Sequence, residues 1–273
     1  MCLRLGISDV GRFLFMNSIV LEICVDSVES AHSAEAGGAD RIELCRALDE
    51  GGLTPSEELL RSVRAAVELD LFVMIRPRAG SFVYLPTELD WMRSEIERAG
   101  ALGADGVVLG ALTPDGEVDV EAVRTLVAAA RPMQVTFHRA FDVSMNLDTS
   151  LEQVIVAGAD RILTSAAGKT ARQAADRIAQ LVRAADDRII IMAGGGIRCA
   201  NVRDLVLAAE VREVHTSLGF GDGDGVLVAG KDSVQETSGN HPSRFIVREA
   251  HVRAMRETLE ELTTLKGMQA PVR

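Results

Sequence analysis

The sequence predicts a closed α/β barrel of eight strand–helix units, and three observations lead to it. A turn-and-strand pattern recurs four times at a spacing of roughly 50–65 residues, about twice one such unit. Apolar strand-like and helix-like stretches alternate without a break in order. The chain has 273 residues, close to the roughly 250 of a single barrel of this type.

The repeat is a Gly-Ala-Asp turn followed by a short apolar strand. Gly38-Ala39-Asp40 precedes Arg41 to Cys45, Gly103-Ala104-Asp105 precedes Gly106 to Leu109, and Gly158-Ala159-Asp160 precedes Arg161 to Ser165. A worn copy, Ala209-Glu210-Val211, precedes Glu213 to Ser217. These are the even strands. The odd strands are the short apolar runs Ile19 to Val25, Leu71 to Ile75, Val135 to Phe137 and Ile189 to Met192. Helices are predicted over Val28–Ala36, Thr87–Leu102, Asp119–Ala130, Asp148–Val156, Asn201–Ala208 and Ser243–Leu265. Thr54-Pro55-Ser56-Glu57 reads as a capping box opening a helix to about Glu68, and Thr170 with Gln173 as a second. Eight units without a topological switch give a (β/α)8, TIM-barrel-like single domain over residues 19–267. Residues 1–18 fit no barrel element and read as an N-terminal extension. Met16 stands as a candidate natural start; the alternative is a helix closing the barrel bottom. Residues 219–243 form a long loop after strand eight. Its Asp222-Gly223-Asp224-Gly225 run resembles part of a calcium loop but lacks the remaining ligands.

Composition narrows the function. The net charge of −11 argues against nucleic-acid binding. No apolar run is long enough to span a membrane, and no secretory signal is evident. Four cysteines in a chain this long suggest a reduced, cytoplasmic protein rather than a disulfide framework. Ala167-Gly168-Lys169-Thr170 lacks the spacing of a nucleotide-binding loop, so no nucleotide cofactor is predicted.

Strand alternation sends Leu21, Ile23 and Val25 toward the helices and Glu22 and Cys24 into the barrel. By the same rule Glu43, Cys45, Met74, Arg76, Thr136, His138, Ser165, His215 and Ser217 face inward, with Arg78 just above. Barrel interiors are ordinarily filled by branched apolar residues. Five ionisable residues from five strands (Glu22, Glu43, Arg76, His138 and His215) instead predict a polar pocket at the strands' C-terminal ends. An internal ion-pair network is the alternative. Arg76, Arg78 and Arg139 suit a carboxylate or phosphate. His138 suits acid–base work, with Asp142 to orient it or receive a cation. Gly194, Gly195 and Ser217 lie in the two turns where many barrels hold a phosphate. Cys24 and Cys45 end adjacent strands on one face. They can share a soft ion such as Cu(I), held linearly, or serve as small buried hydrophobes.

Together these motifs resemble the CutC family, described as copper homeostasis proteins. The resemblance rests on Leu21-Glu22-Ile23-Cys24, on Gly38 to Cys45, on Glu50 to Ser56, and on Ile75-Arg76-Pro77-Arg78. Thr136 to Asp142, Leu163-Thr164-Ser165, Ile191 to Gly194 and Glu213-Val214-His215 complete it. It implies a cytoplasmic homo-oligomer, a dimer or tetramer, with a Cu(I) site at Cys24 and Cys45. The residues themselves support a second expectation: a hydrolase, isomerase or lyase acting on a small anionic, phosphorylated or sugar-like substrate. There Glu22, Glu43, His138 and His215 would supply the acid–base groups, and Arg76, Arg78, Arg139, Asp142 and Ser165 the substrate contacts.

Overall fold

In a computed structural model of the protein, residues 18–220 and 246–269 are described. The expectations for the N-terminal extension, for the Gly/Asp-rich loop and for a helix start at Ser243 fall outside the described residues, apart from the extension's last residue and the loop's first two.

Eight strands form a closed parallel barrel in sequential order. They are β1 (Val20–Val25), β2 (Arg41–Leu44), β3 (Asp70–Met74), β4 (Gly106–Leu109), β5 (Gln134–Phe137), β6 (Arg161–Thr164), β7 (Ile190–Gly194) and β8 (Glu213–Thr216). The intervening helices are α1 (Val28–Ala36), α2 (Glu57–Ala66), α3 (Pro86–Ala101), α4 (Val120–Ala130), α5 (Leu147–Ala157), α6 (Ala175–Ala185) and α7 (Cys199–Ala209). A two-stranded antiparallel ribbon, β9 (Gly219–Phe220) with β10 (Ile246–Val247), leads into α8 (Glu249–Gln269). α8 packs against both α7 and α1 and so closes the helical ring.

The Gly-Ala-Asp repeat is a staple between neighbouring strands. Asp40, Asp105 and Asp160 each accept the backbone N–H of the odd strand before them, from Leu21, Leu71 and Val135, at 2.7, 2.9 and 2.8 Å. Each returns its own N–H to the same residue's carbonyl. An arginine caps each carboxylate from outside: Arg256, Arg64 and Arg131. The glycine supplies the left-handed turn, with φ of +87°, +84° and +89° at Gly38, Gly103 and Gly158. In the worn copy Glu210 takes that conformation at φ +58°.

Two caps differ from the sequence expectation. α2 starts at Glu57 with Ser56 as its cap, the hydroxyl accepting from Leu59 N–H. Thr54 instead bridges to β3, exchanging hydrogen bonds with the backbone of Arg76 at 2.8 and 3.1 Å. The Thr170 hydroxyl does accept from Gln173 N–H at 3.3 Å, but α6 begins only at Ala175.

The main core lies between strands and helices, with Leu21, Ile23, Val25, Ile42 and Leu44 fully buried there. The lower barrel interior is polar. Arg41 bonds Glu22 and also Glu213, the latter at 2.6 Å. Arg161 grips the same Glu213 carboxylate through two nitrogens. Both guanidinium groups lie on the Phe72 ring, 4.8 and 5.3 Å from its centroid. This is an internal ion-pair network of the kind weighed as an alternative, but of the five residues named for the pocket it takes in Glu22 alone, and it sits beneath the cavity.

A candidate site at the barrel mouth

Register builds the floor of the site. In the β1–β8 pairing Glu22 stands opposite His215, and in the β1–β2 pairing Cys24 stands opposite Glu43. Four inward-facing groups from three adjacent strands therefore meet, with Cys45 one step beyond β2. Cys24 Sγ lies 3.7 Å from Cys45 Sγ, and Cys45 Sγ lies 3.4 Å from Glu43 Oε2. His215 Nδ1 is 2.7 Å from Glu22 Oε1, and its Nε2 is 3.9 Å from Glu43 Oε2. Cys24, Glu43 and Cys45 bring ligand atoms within 4.8 Å of one another, as do Glu22, Glu43 and His215. Gly52 closes the wall over Cys45. A Cβ there would stand 3.1 Å from Cys45 Sγ and 3.4 Å from the Met74 methyl, and its φ is +83°. Only glycine lets this turn lie so close.

Charge in this cluster follows from burial and pairing. Burial alone would raise the Glu22 carboxyl, but the Arg41 charge and the His215 hydrogen bond outweigh it and hold Glu22 well below the usual carboxylate range. Burial opposes a charge on His215, yet Glu43, Cys24 and Glu22 together push it well above its ordinary value. The 2.7 Å contact sets His215 Nδ1 directly over the Glu22 carboxylate. The hydrogen bond shared with Cys45, aided by His215, brings Cys24 down to about 6 against its burial. The same bond, with burial, raises Cys45. Burial and the neighbouring Cys24 raise Glu43.

Above this floor opens a cavity of about 890 Å³, lined among others by Cys24, Glu43, Cys45, Met74, Arg76, Phe82, His138, Arg139, Gly195, Arg198, His215 and Ser217. It stands at the C-terminal ends of the strands, where barrels of this kind hold their ligands. Arg76 donates from Nη1 to the carbonyls of Glu50 and Gly52 and from Nη2 to that of Gly80. His138 Nδ1 accepts the Ala140 N–H at 3.2 Å. Burial, then the Arg76 charge, pull His138 down to about 3, so it is a neutral ring and not a group poised near neutral pH.

Several expected site residues sit elsewhere. Glu22 is fully buried beneath His215 and does not line the cavity. Arg78 turns away: it pairs with Glu88, donates to the Ser81 and Val83 carbonyls, and lies on the Tyr84 ring. Asp142 neither orients His138 nor faces the cavity. Its carboxylate binds Arg139, Thr164 and the backbone and hydroxyl of Ser165, tying the top of β5 to β6. Ser165 is spent in that knot, its hydroxyl accepting from Arg139 and sharing its one hydrogen between Asp142 and the Gly168 carbonyl. Gly194 makes room for packing, with Leu163 Cδ1 2.4 Å from where its Cβ would stand. Residues not singled out from the sequence also matter. Arg41, Arg161 and Glu213 face inward two or four positions before Glu43, Ser165 and His215, so the alternation rule itself contained them. Phe82 and Arg198 reach the cavity from loops, which no periodicity marks. Cys199 is exposed and apart from the cluster.

Known proteins resemble this chain in sequence and fold. The CutC family pattern matches residues 19–220. The chain is 46% identical over 207 residues to the human copper homeostasis protein cutC homolog, covering 76% of each. It is 49% identical over 197 residues to a CutC family protein of Xanthomonas campestris pv. campestris, covering 72% of this chain and 82% of that one. The CutC crystal structure from Streptococcus agalactiae superposes with a TM-score of 0.69 at 33% identity, over 72% of this chain and 97% of that one. Thiamine phosphate pyrophosphorylase from Pyrococcus furiosus, at 19% identity, 91% and 98% coverage and TM-score 0.54, shares the barrel fold alone. Residues 19–220 thus carry a family pattern, a level of identity and a solved fold that agree, and the chain belongs to the CutC family.

Proposed function

We propose that this protein binds Cu(I) at Cys24 and Cys45 and serves copper homeostasis, the role that its relatives' names carry. The observation behind this reading is the pair of buried sulfurs 3.7 Å apart with a carboxylate oxygen 3.4 Å from one of them. Thiolate pairs select soft ions. With metal–sulfur bonds of about 2.3 Å, the value for zinc thiolates, a linear site needs sulfurs ~4.6 Å apart. Sulfurs at 3.7 Å subtend ~107° instead, far from linear and close to a tetrahedral angle. On this spacing a bent pair that draws in further ligands is favoured over the linear arrangement expected from sequence, with Glu43 nearest and His215 behind it.

Anaerobic titration with Cu(I) against a competing chelator tests the site. The expected result is one tightly held ion per chain, lost in Cys24→Ser/Cys45→Ser. Undiminished stoichiometric binding in the double variant would rule the site out. Copper as cargo, a cytoplasmic location and a homo-oligomer, dimer or tetramer, belong to the same proposal; sedimentation of the purified chain checks the last.

One observation favours a second reading, an enzyme on a small anionic substrate: the cavity of about 890 Å³ is far larger than an ion needs. Turnover of a phosphorylated or carboxylated metabolite that survives combined loss of Glu43 and His138 would remove it.

A further inference from the structure

The wall beside the sulfurs carries an imbalance that copper alone does not explain. Arg76 is 5% exposed, and no carboxylate pairs with it among the described residues. Two of its nitrogens are spent on backbone carbonyls, while its buried Nε–H has no acceptor among the described residues. A buried guanidinium held only by neutral dipoles is costly unless an anion joins it. His138 adds a second idle donor. Its Nδ1 accepts from Ala140, so the neutral ring carries its hydrogen on Nε2, and Nε2 is buried with no partner among the described residues. Phe82 binds the two into one corner, 4.9 Å from the Arg76 guanidinium carbon and 4.9 Å from the His138 ring centre.

This corner adjoins the sulfurs. Arg76 Nη1 donates to the carbonyl of Gly52, the same residue on which an added Cβ would meet Cys45 Sγ. One two-glycine turn thus separates a soft-metal floor from a cationic wall, and both face a cavity whose volume falls in the range of small-molecule sites.

We propose that the cavity receives copper as a Cu(I) complex of a small carboxylate-bearing thiol, with the carrier's carboxylate seated against Arg76 and His138. This rests on the Cu(I) reading above and names the form in which the ion arrives. The step is ligand exchange without a change of oxidation state. Two carrier thiolates leave copper, two cysteine sulfurs bind it, and each cysteine proton passes to a departing thiolate. The complex [Cu(SR)2]− and a cysteine pair carrying one proton become a bis-cysteinate Cu(I) site, one RS− and one RSH; a second proton on the pair would leave on the second RSH. The arginine corner holds the carrier while the sulfurs exchange, which converts an encounter into an intramolecular step.

The test follows anaerobic Cu(I) transfer to the intact protein from 3-mercaptopropionate, 2-mercaptoethanol and cysteamine, with the acetonitrile complex as a thiol-free source. The wild type should take copper from mercaptopropionate about ten-fold or more faster than from mercaptoethanol, the scale of one charge-assisted hydrogen bond. Cysteamine should be slowest. The preference should fall toward unity in Arg76→Gln. It should also fall in His138→Asn, which keeps an acceptor for the Ala140 N–H but removes the Nε2 donor. His138→Asn keeps the inference testable should Arg76→Gln disturb the Gly51-Gly52 turn. A wild type that loads from acetonitrile but shows no preference, or a preference unmoved in a folded variant, overturns this inference alone. A wild type whose cysteine pair takes no Cu(I) from acetonitrile overturns the copper reading and this one with it.

Discussion

At the scale of the residue, environment decides what each ionisable group can do. His138 and His215 both face inward from strand ends, and the sequence suggests similar roles. The structure separates them. His215 stands between two carboxylates and a thiol, which raise it; His138 lies against Arg76 in an apolar corner, which lowers it to about 3. Strand alternation revealed that both point inward. It could not reveal the neighbours, because Phe82 and the Gly51-Gly52 turn come from loops. A measurable consequence follows for His138. Its folded-state value lies below the ordinary 6.5, so the unfolded chain binds the proton more readily between those limits. Its contribution is fully present above about pH 6.5 and is lost as pH falls toward 3. Between about pH 7.5 and 5 that amounts to ~2 kcal/mol. Urea unfolding should show the wild type losing roughly this much more stability over that interval than His138→Asn. Parallel pH curves for the two proteins would contradict the assignment.

At the scale of the element, the strand–helix rhythm was legible because each strand end repeats one device. The sequence displays the Gly-Ala-Asp turns openly. What the aspartate does, stapling two strands through a backbone N–H, shows only in three dimensions. The caps were less legible: Thr54 and Ser56 both precede the α2 run, and a pull from the Arg76 backbone takes Thr54 out of competition. The worn repeat offers a test of the device. Glu210 takes the left-handed turn that glycine fills in the other three copies, with φ +58°, and the side chain is exposed. A non-glycine residue in this region is disfavoured by roughly 1 kcal/mol. Glu210→Gly should therefore raise the urea midpoint by an equivalent of about 0.5–1 kcal/mol without changing the m-value, part of the gain being offset by the looser unfolded chain. A lowered midpoint would show that the Glu210 side chain does more than occupy the turn.

At the scale of the whole molecule, the barrel must close twice, once through strands and once through helices. Strand closure was foreseeable from eight units in a row, and β8 pairs β1 over four residues. Helix closure was not, because α8 follows residues 221–245 and its contact with α1 lies about 215 residues apart in sequence. That seam is tight. A Cβ on Gly37, at the end of α1, would stand 2.4 Å from Val252 Cβ and 2.9 Å from the Glu249 carbonyl oxygen. Gly37 has an ordinary φ of −80°, so backbone strain plays no part and only space is at issue. Val252 is fully buried, as are Met255 and Leu262 along the same face, so α8 cannot yield one contact without shifting the others. Gly37→Ala should cost about 1–3 kcal/mol, the range for overpacking a filled interface. The loss should come with faster exchange of α8 amides, while the Cu(I) titration of the folded protein stays as in the wild type, since the seam lies on the outer ring and the sulfurs inside the barrel. An alanine accepted at less than about 0.5 kcal/mol would mean that α8 rides loosely on the barrel rather than locking it.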